Sequence, residues 1–302
     1  MNCVISGEFN FISLSLCNRL VELGNQIVLI DSNQDLSDVE FQQKILRVNL
    51  NKTDEFFYNE KPDMFFHFLK DDAEGCNIKN FIDSNIQILI EALDKAKDYE
   101  SKFILIGSKP LSGKPDRTIS RLSQYFAEEL AQMFCENNSL ALAVVRHFEV
   151  FGNSCNNENA LIYRLEKAKT NNSIFSYKGS ENERKNFIHL DDLISAIISI
   201  SKNRWRGQIF NLGMQKTYSI KELVELFEIE KFVTNPINKK EYWDPVPDTT
   251  FAERSLQWKV KTCVEDYAEK FLQKKFRENP RHFFDSIWDW FFWNKILDYD
   301  AS

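Results

Sequence analysis

His189, Asp191 and Asp192 put an imidazole and two carboxylates within four residues, a set with the chemistry for metal binding or for general acid/base work. Near the start of the chain, Gly7, Asn10 and Ser13 fall at the spacing of a Gly-x-x-Gly-x-x-Gly turn, whose backbone N–H groups hold the pyrophosphate of a dinucleotide. Only the first glycine is present. Gly7 can make the tight turn, but Asn10 sets a side chain where backbone should approach the ligand, and Phe11 and Ile12 complete the candidate contacts. Asp31 lies about 20 residues further on, where an acid would hold a ribose 2′-hydroxyl. An acid that merely closes a strand is the plain alternative, and the motif alone leaves the two even. His67 and His147 read as core or turn groups rather than ligands.

A turn of this kind needs a strand before it and a helix after it. Val4-Ile5 is the end of a short buried strand; Leu14, Leu16, Leu20, Val21 and Leu23 give a helix its apolar side, and Gly24 stops it. Ile27 to Ile30 is a second strand. The alternation continues with strands at 44–48, 64–69, 103–106 and 142–146 and with helices at 80–97 and about 120–137. Repeated βα pairs predict an α/β fold, a Rossmann-like doubly wound parallel sheet.

The chain has 302 residues, enough for one large or two modest domains. A net charge of −7 argues against general nucleic-acid binding, since there is no excess of cations to displace counterions. No leader and no apolar run long enough to span a bilayer is read. The six cysteines form no CxxC pair, so a reduced, cytoplasmic, metal-free protein is the simplest expectation. Glycine, at 9 residues, is scarce for a fold whose ligand loops normally need it.

Five phrases in order resemble the extended short-chain dehydrogenase/reductases, the NAD-dependent nucleotide-sugar epimerases and dehydratases: FILIGSKPLSG, VVRHFEVFGN, KNFIHLDDLISAI, GQIFNLGMQKTYSIKELVELF and LQWKVKTCVEDYAEKF. The resemblance implies a dinucleotide-binding domain over 1–150, a smaller discontinuous substrate domain over 151–275 with about 185–212 returning to the first, and an additional tail over 276–302. It implies that Ser108 is the hydroxyl that hydrogen-bonds substrate. It also places Asn49-Leu50 beside the adenine, Leu69-Lys70 where small residues let the dinucleotide pass, and Arg184 and Lys185 towards a substrate diphosphate. A solvated charged loop, SENERK, is the competing account of that last pair and is rated slightly ahead. In the family the His189–Asp192 segment packs two domains together and its second acid caps a helix.

The catalytic positions depart from the family. Its Tyr-x-x-x-Lys supplies a phenol as acid/base and a lysine one turn on that lowers the phenol's pKa and grips the nicotinamide ribose. Aligning Ser123, Ala127 and Glu128 puts Ser120 at the Tyr position and Gln124 at the Lys position. A serine hydroxyl is far less acidic than a phenol, and Gln124 carries no charge to stabilise an oxyanion. The literal Tyr163-x-x-x-Lys167 falls on a helix of the expected substrate domain and is taken as chance.

Three readings follow. The first is a catalytically degenerate nucleotide-sugar-binding or regulatory homologue in glycan synthesis. The second is a working NAD-dependent epimerase, dehydratase or reductase with unorthodox acid/base residues, and the third an interaction scaffold. NAD is expected to bind weakly or not at all, with Asp31 favouring it over NADP. A homo- or heterodimer is expected through Ile86, Ile90, Leu122 and Phe126, on the helices that pair in this family. The aromatic stretch 280–299 reads as a helix apolar on most sides, which must be buried.

Overall fold

The computed structural model describes residues 1–31, 45–49, 61–70, 83–108, 119–153, 158–235 and 244–278. β1 (Asn2–Gly7) leads through α1 (Phe11–Glu22) into β2 (Gln26–Asp31), which lies parallel to β1 with Cys3 opposite Ile27 and Ile5 opposite Leu29. The buried side of α1 carries Ile12, Leu16, Cys17, Leu20 and Val21 at helical spacing. Leu23 does not join them. It is the C-cap residue and 52% exposed, and Gly24 follows with φ +82° to end the helix.

The chain then forms β3 (Ile45–Asn49), β4 (Met64–Phe68), a π turn (Asp83–Gln87), α2 (Ile88–Asp98), β5 (Lys102–Ser108), α3 (Ile119–Asn137), β6 (Leu142–His147) and β7 (Glu149–Phe151). Next come α4 (Leu161–Asn171), β8 (Phe175–Tyr177), β9 (Arg184–Lys185), β10 (Phe187–His189), α5 (Leu190–Ser201) and β11 (Arg206–Leu212). The last described elements are β12 (Tyr218–Ser219), α6 (Ile220–Leu226), β13 (Phe232–Thr234), α7 (Thr250–Leu256) and α8 (Val264–Glu278).

Seven strands make one parallel sheet in the order β11-β6-β5-β4-β1-β2-β3. The order reverses between β1 and β4, which is where such sheets place a ligand, above the strands' C-terminal ends. Both faces are covered, so the strands are apolar almost throughout. Cys3, Ile5, Leu29, Phe66 and Ile106 face α1, α5 and Trp258; Val4, Phe65, Phe103, Leu105 and Val144 face α2 and α3. α3 lies close on the sheet because its inner stripe is small: Ser123, Ala127 and Ala131 are buried.

The chain divides into two compact units. The first comprises Met1–Ala160, Lys185–Thr217 and Trp243–Lys261, and holds the seven-stranded sheet. The second comprises Leu161–Arg184, Tyr218–Tyr242 and Thr262–Ser302; it pairs β8 with β13 and stacks Phe175 on Phe232 at 5.8 Å. Among the described residues no helix is long and apolar enough to cross a membrane. Leu50, the segment between Ser108 and Ser120 and the stretch 280–299 lie outside the described residues, as do the side chains of Asp31, Asn49, Ser108 and Ser120.

Candidate active site above the ends of the parallel strands

Gly7 ends β1 hard against β4. A Cβ built on it would sit 2.1 Å from the Phe68 carbonyl oxygen, and the next residue, Glu8, donates its N–H to that oxygen at 2.9 Å. The turn then reaches Asn10, which caps α1. Asn10 Oδ1 accepts the N–H of Ile12 at 2.9 Å and of Ser13 at 3.2 Å. Ser13 Oγ accepts the Asn10 N–H at 2.8 Å and donates back to the Asn10 carbonyl at 2.9 Å, closing a capping box. The Asn10 amide donates to the Glu8 carboxylate at 3.1 Å, which fixes which end of the amide faces the helix. Phe11 is partly buried against the sheet core, and Ile12 is inside it.

After β4, Leu69 is buried and donates its N–H to the Ile106 carbonyl of β5 at 2.8 Å. The Lys70 backbone is clamped. Asn85 in the π turn accepts the Lys70 N–H at 2.7 Å and donates to its carbonyl at 3.1 Å, and also donates to Ser123 Oγ at 3.1 Å. Gln124, only 3% exposed, donates to the same Lys70 carbonyl at 3.3 Å. Gly107, just before the end of β5, makes room for this group. A Cβ there would meet Leu69 Cδ1 at 3.3 Å, Gln124 Oε1 at 3.7 Å and Glu128 Oε1 at 3.9 Å. Leu69, Lys70 and Gln124 are therefore brought together.

Glu128, one turn beyond Gln124, holds Arg146 of β6 through Oε2, which accepts from Nε at 2.9 Å and from a terminal nitrogen at 2.5 Å. Burial raises the Glu128 carboxyl above the usual range, while Arg146 pulls it back down. Both residues fall in phrases that resemble the family, but nothing at the level of motif spacing pairs them. The signal present in the sequence is a lone arginine in the apolar run LAVVRH and a lone glutamate on the small-residue stripe of α3. Asn85 is similarly hidden, one polar residue where an amphipathic helix is expected. Tyr125 does not substitute for the missing phenol: it is 41% exposed, beside Phe126 at 6.0 Å between ring centres.

The histidines sort by their partners. His67 is fully buried in β4; Nδ1 lies 2.9 Å from Ser6 Oγ, and Nε2 has no hydrogen-bond partner among the described residues. Burial without a counter-charge lowers its pKa to about 3, so the ring is neutral. His147 turns Nδ1 to the Phe148 carbonyl at 2.8 Å. The expectation that the second acid of His189–Asp192 caps α5 is corrected. His189 is the N-cap, its Nδ1 accepting the Asp191 N–H at 3.3 Å, whereas the buried Asp192 carboxylate accepts the Lys261 N–H at 2.9 Å and anchors the segment after α7. The resemblance implied an acid at the cap, but here an imidazole nitrogen is the acceptor. Among the described residues no cluster of three metal-ligating side chains occurs.

Arg184 and Lys185 form β9 rather than a loop. In the second unit Arg184 pairs with Glu222 at 3.1 Å, and Glu222 also accepts the Ser219 N–H to cap α6. Tyr163 and Lys167 sit on α4 of that unit. The buried Tyr218 hydroxyl there donates to Glu265 at 2.5 Å, and burial followed by that acid raises its pKa.

The family profile described as NAD dependent epimerase/dehydratase matches residues 3–213. Protein CapI of Staphylococcus aureus is 22% identical across 90% of this chain and 97% of its own. An ADP-L-glycero-D-manno-heptose-6-epimerase of Brachyspira hyodysenteriae is 24% identical over 74% of this chain and 79% of its own. Among solved structures, the UDP-glucose 4-epimerase of Thermotoga maritima, determined with UDP-glucose, superposes with a TM-score of 0.75 at 18% identity, covering 91% of this chain and 100% of that one. The UDP-glucuronic acid 4-epimerase of Bacillus cereus, determined with NAD, gives 0.74 at 18% identity and the same coverage. With its parallel sheet, its remnant glycine turn and this profile across more than half its length, the chain belongs to the NAD dependent epimerase/dehydratase family.

Proposed function

We propose that this protein is a catalytically degenerate member of its family that binds a nucleotide sugar and acts as a binding or regulatory partner in glycan synthesis. The observation that carries the reading is Gln124. At the position aligned with the family's lysine it is neutral, buried and committed to the Lys70 carbonyl, so no ammonium stands there to stabilise a phenolate or grip a ribose. The residue aligned with the tyrosine is Ser120, and the tyrosine nearest to it on α3 points outward. Relatives that take UDP-sugars support a nucleotide sugar as ligand.

Removing a sugar hydroxyl's proton as hydride leaves needs a base, and such help is worth roughly 10² to 10⁴ in rate. Purified protein with UDP-glucose or UDP-glucuronic acid and NAD is therefore expected to give no epimerised or dehydrated product by NMR. Rapid turnover, undiminished in a Ser108→Ala variant, would place the chemistry elsewhere and overturn the reading. UDP-glucose titrated by calorimetry tests the binding half directly.

Assembly follows from the outer faces of α2 and α3. Of the residues expected there, Ile90 is 41%, Leu122 56% and Phe126 55% exposed, whereas Ile86 is partly buried against the sheet core; with Met133, 62% exposed, the exposed ones make an apolar surface of the kind that marks association. We propose that it forms a two-fold dimer, with itself or with an active relative. Sedimentation should give a dimer or a complex at micromolar concentration, and Leu122→Asp with Phe126→Asp should return a monomer. A wild-type monomer that recovers no partner would count against this.

A further inference from the structure

We propose that the dinucleotide site of this protein is closed from within, so that the chain works without NAD. The residues present do not fit the cofactor at either of two separate places. At the α1 end, a pyrophosphate is held by N–H groups left unsatisfied at the helix start. Here the N–H groups of Ile12 and Ser13 already donate to Asn10 Oδ1, and that of Asn10 donates to Ser13 Oγ. The Glu8 carboxylate accepts from the Asn10 amide, holding it in this orientation. An incoming pyrophosphate must break the capping box. At the other end, between β4 and β5, the bulky Leu69 lies against Gly107, and Gln124 and Asn85 spend their amides on the Lys70 backbone. Groups that family resemblance assigns to a cofactor are internal ties of the protein.

The closure is tested by calorimetry on the full chain, with NAD and inorganic pyrophosphate as probes, on wild type and on Glu8→Ala/Asn10→Gly. Glycine is the substitute that costs a helix start little relative to asparagine. Wild type is expected to show no saturable binding of either probe up to about 1 mM, and the double variant to gain roughly tenfold or more for pyrophosphate. Pyrophosphate reports on the turn alone, because it does not reach Leu69 or Gln124. NAD released from the purified wild type, or bound by it at micromolar concentration, would overturn the inference. So would a folded double variant that binds pyrophosphate no better than wild type. If the double variant does not fold, the wild-type titrations decide alone. The inference rests on the proposed function only in taking the first unit as the family's cofactor domain. UDP-glucose run in parallel separates the two, since its failure to bind counts against the proposed function and leaves the result at the turn standing.

Discussion

Gly7→Ala is expected to destabilise the protein by about 4 kcal/mol or more, well outside the range of an ordinary substitution. Two costs combine at this position. The backbone stands at φ +87°, which an L side chain adopts at roughly 1–2 kcal/mol. The added methyl would also lie 2.1 Å from the Phe68 carbonyl oxygen, so the ends of β1 and β4 must separate, and the Glu8 N–H to Phe68 hydrogen bond goes with them. Gly24→Ala supplies the control. Its φ is +82°, but nothing lies within 4 Å of the built Cβ, so it carries the conformational cost alone, roughly 1–2 kcal/mol. Denaturant midpoints of the two variants measure the difference. A Gly7→Ala protein no less stable than Gly24→Ala would show that β1 and β4 part easily at this point. The glycine is thus demanded by strand packing whether or not a cofactor ever binds above it.

Acid should destabilise the wild type through His67 in a way a His67→Gln variant does not share. The folded-state pKa, about 3, lies below the ordinary histidine value of 6.5. Below pH 6.5 the unfolded chain therefore takes up a proton that the folded chain refuses, and stability falls as pH drops until about pH 3. The slope approaches 1.4 kcal/mol per pH unit, so between pH 7 and pH 4.5 wild type should lose about 3 kcal/mol more than the variant. Comparing differences cancels the carboxylates, Glu128 among them, that titrate in both proteins. Glutamine can keep a hydrogen bond to Ser6, so the variant tests the charge and not only the packing. Parallel curves for the two proteins would mean that the buried ring gains a proton without opening the sheet.

The parallel sheet was legible because strands covered on both faces must be apolar runs, and 27–30, 64–69 and 103–106 are such runs. The damaged glycine turn was legible because its spacing is fixed by backbone geometry. What the damage accomplishes was not. Asn10 as an obstacle follows from residue type, but Asn10 as the cap that consumes the Ile12 and Ser13 donors depends on which way one amide points, and Glu8 decides that. Gln124 could be aligned with a lysine, whereas its bond to the Lys70 carbonyl joins residues 54 positions apart. Arg184 read as part of a solvated loop because its partner Glu222 lies 38 positions on. Pairings across such separations leave no periodicity.

One edge strand of the sheet, β11, pairs with β6 from Leu142↔Arg206 to Leu212↔His147, yet the chain between them builds α4, β8 and α5 first. During synthesis β6 therefore emerges with β5 on one side and a row of unpaired N–H and C=O groups on the other. That edge waits until some sixty further residues have left the ribosome, roughly several seconds at typical elongation rates. Its side chains are Leu142, Ala143, Val144 and Val145, an apolar strand with no proline, charge or bulge among those four to discourage another chain from pairing there. Arg146 supplies the first charge, and Glu128, already synthesised on α3, is placed to claim it. The ion pair beside the candidate site is thus also available as an early tie, fixing β6 against its own helix before its proper neighbour exists.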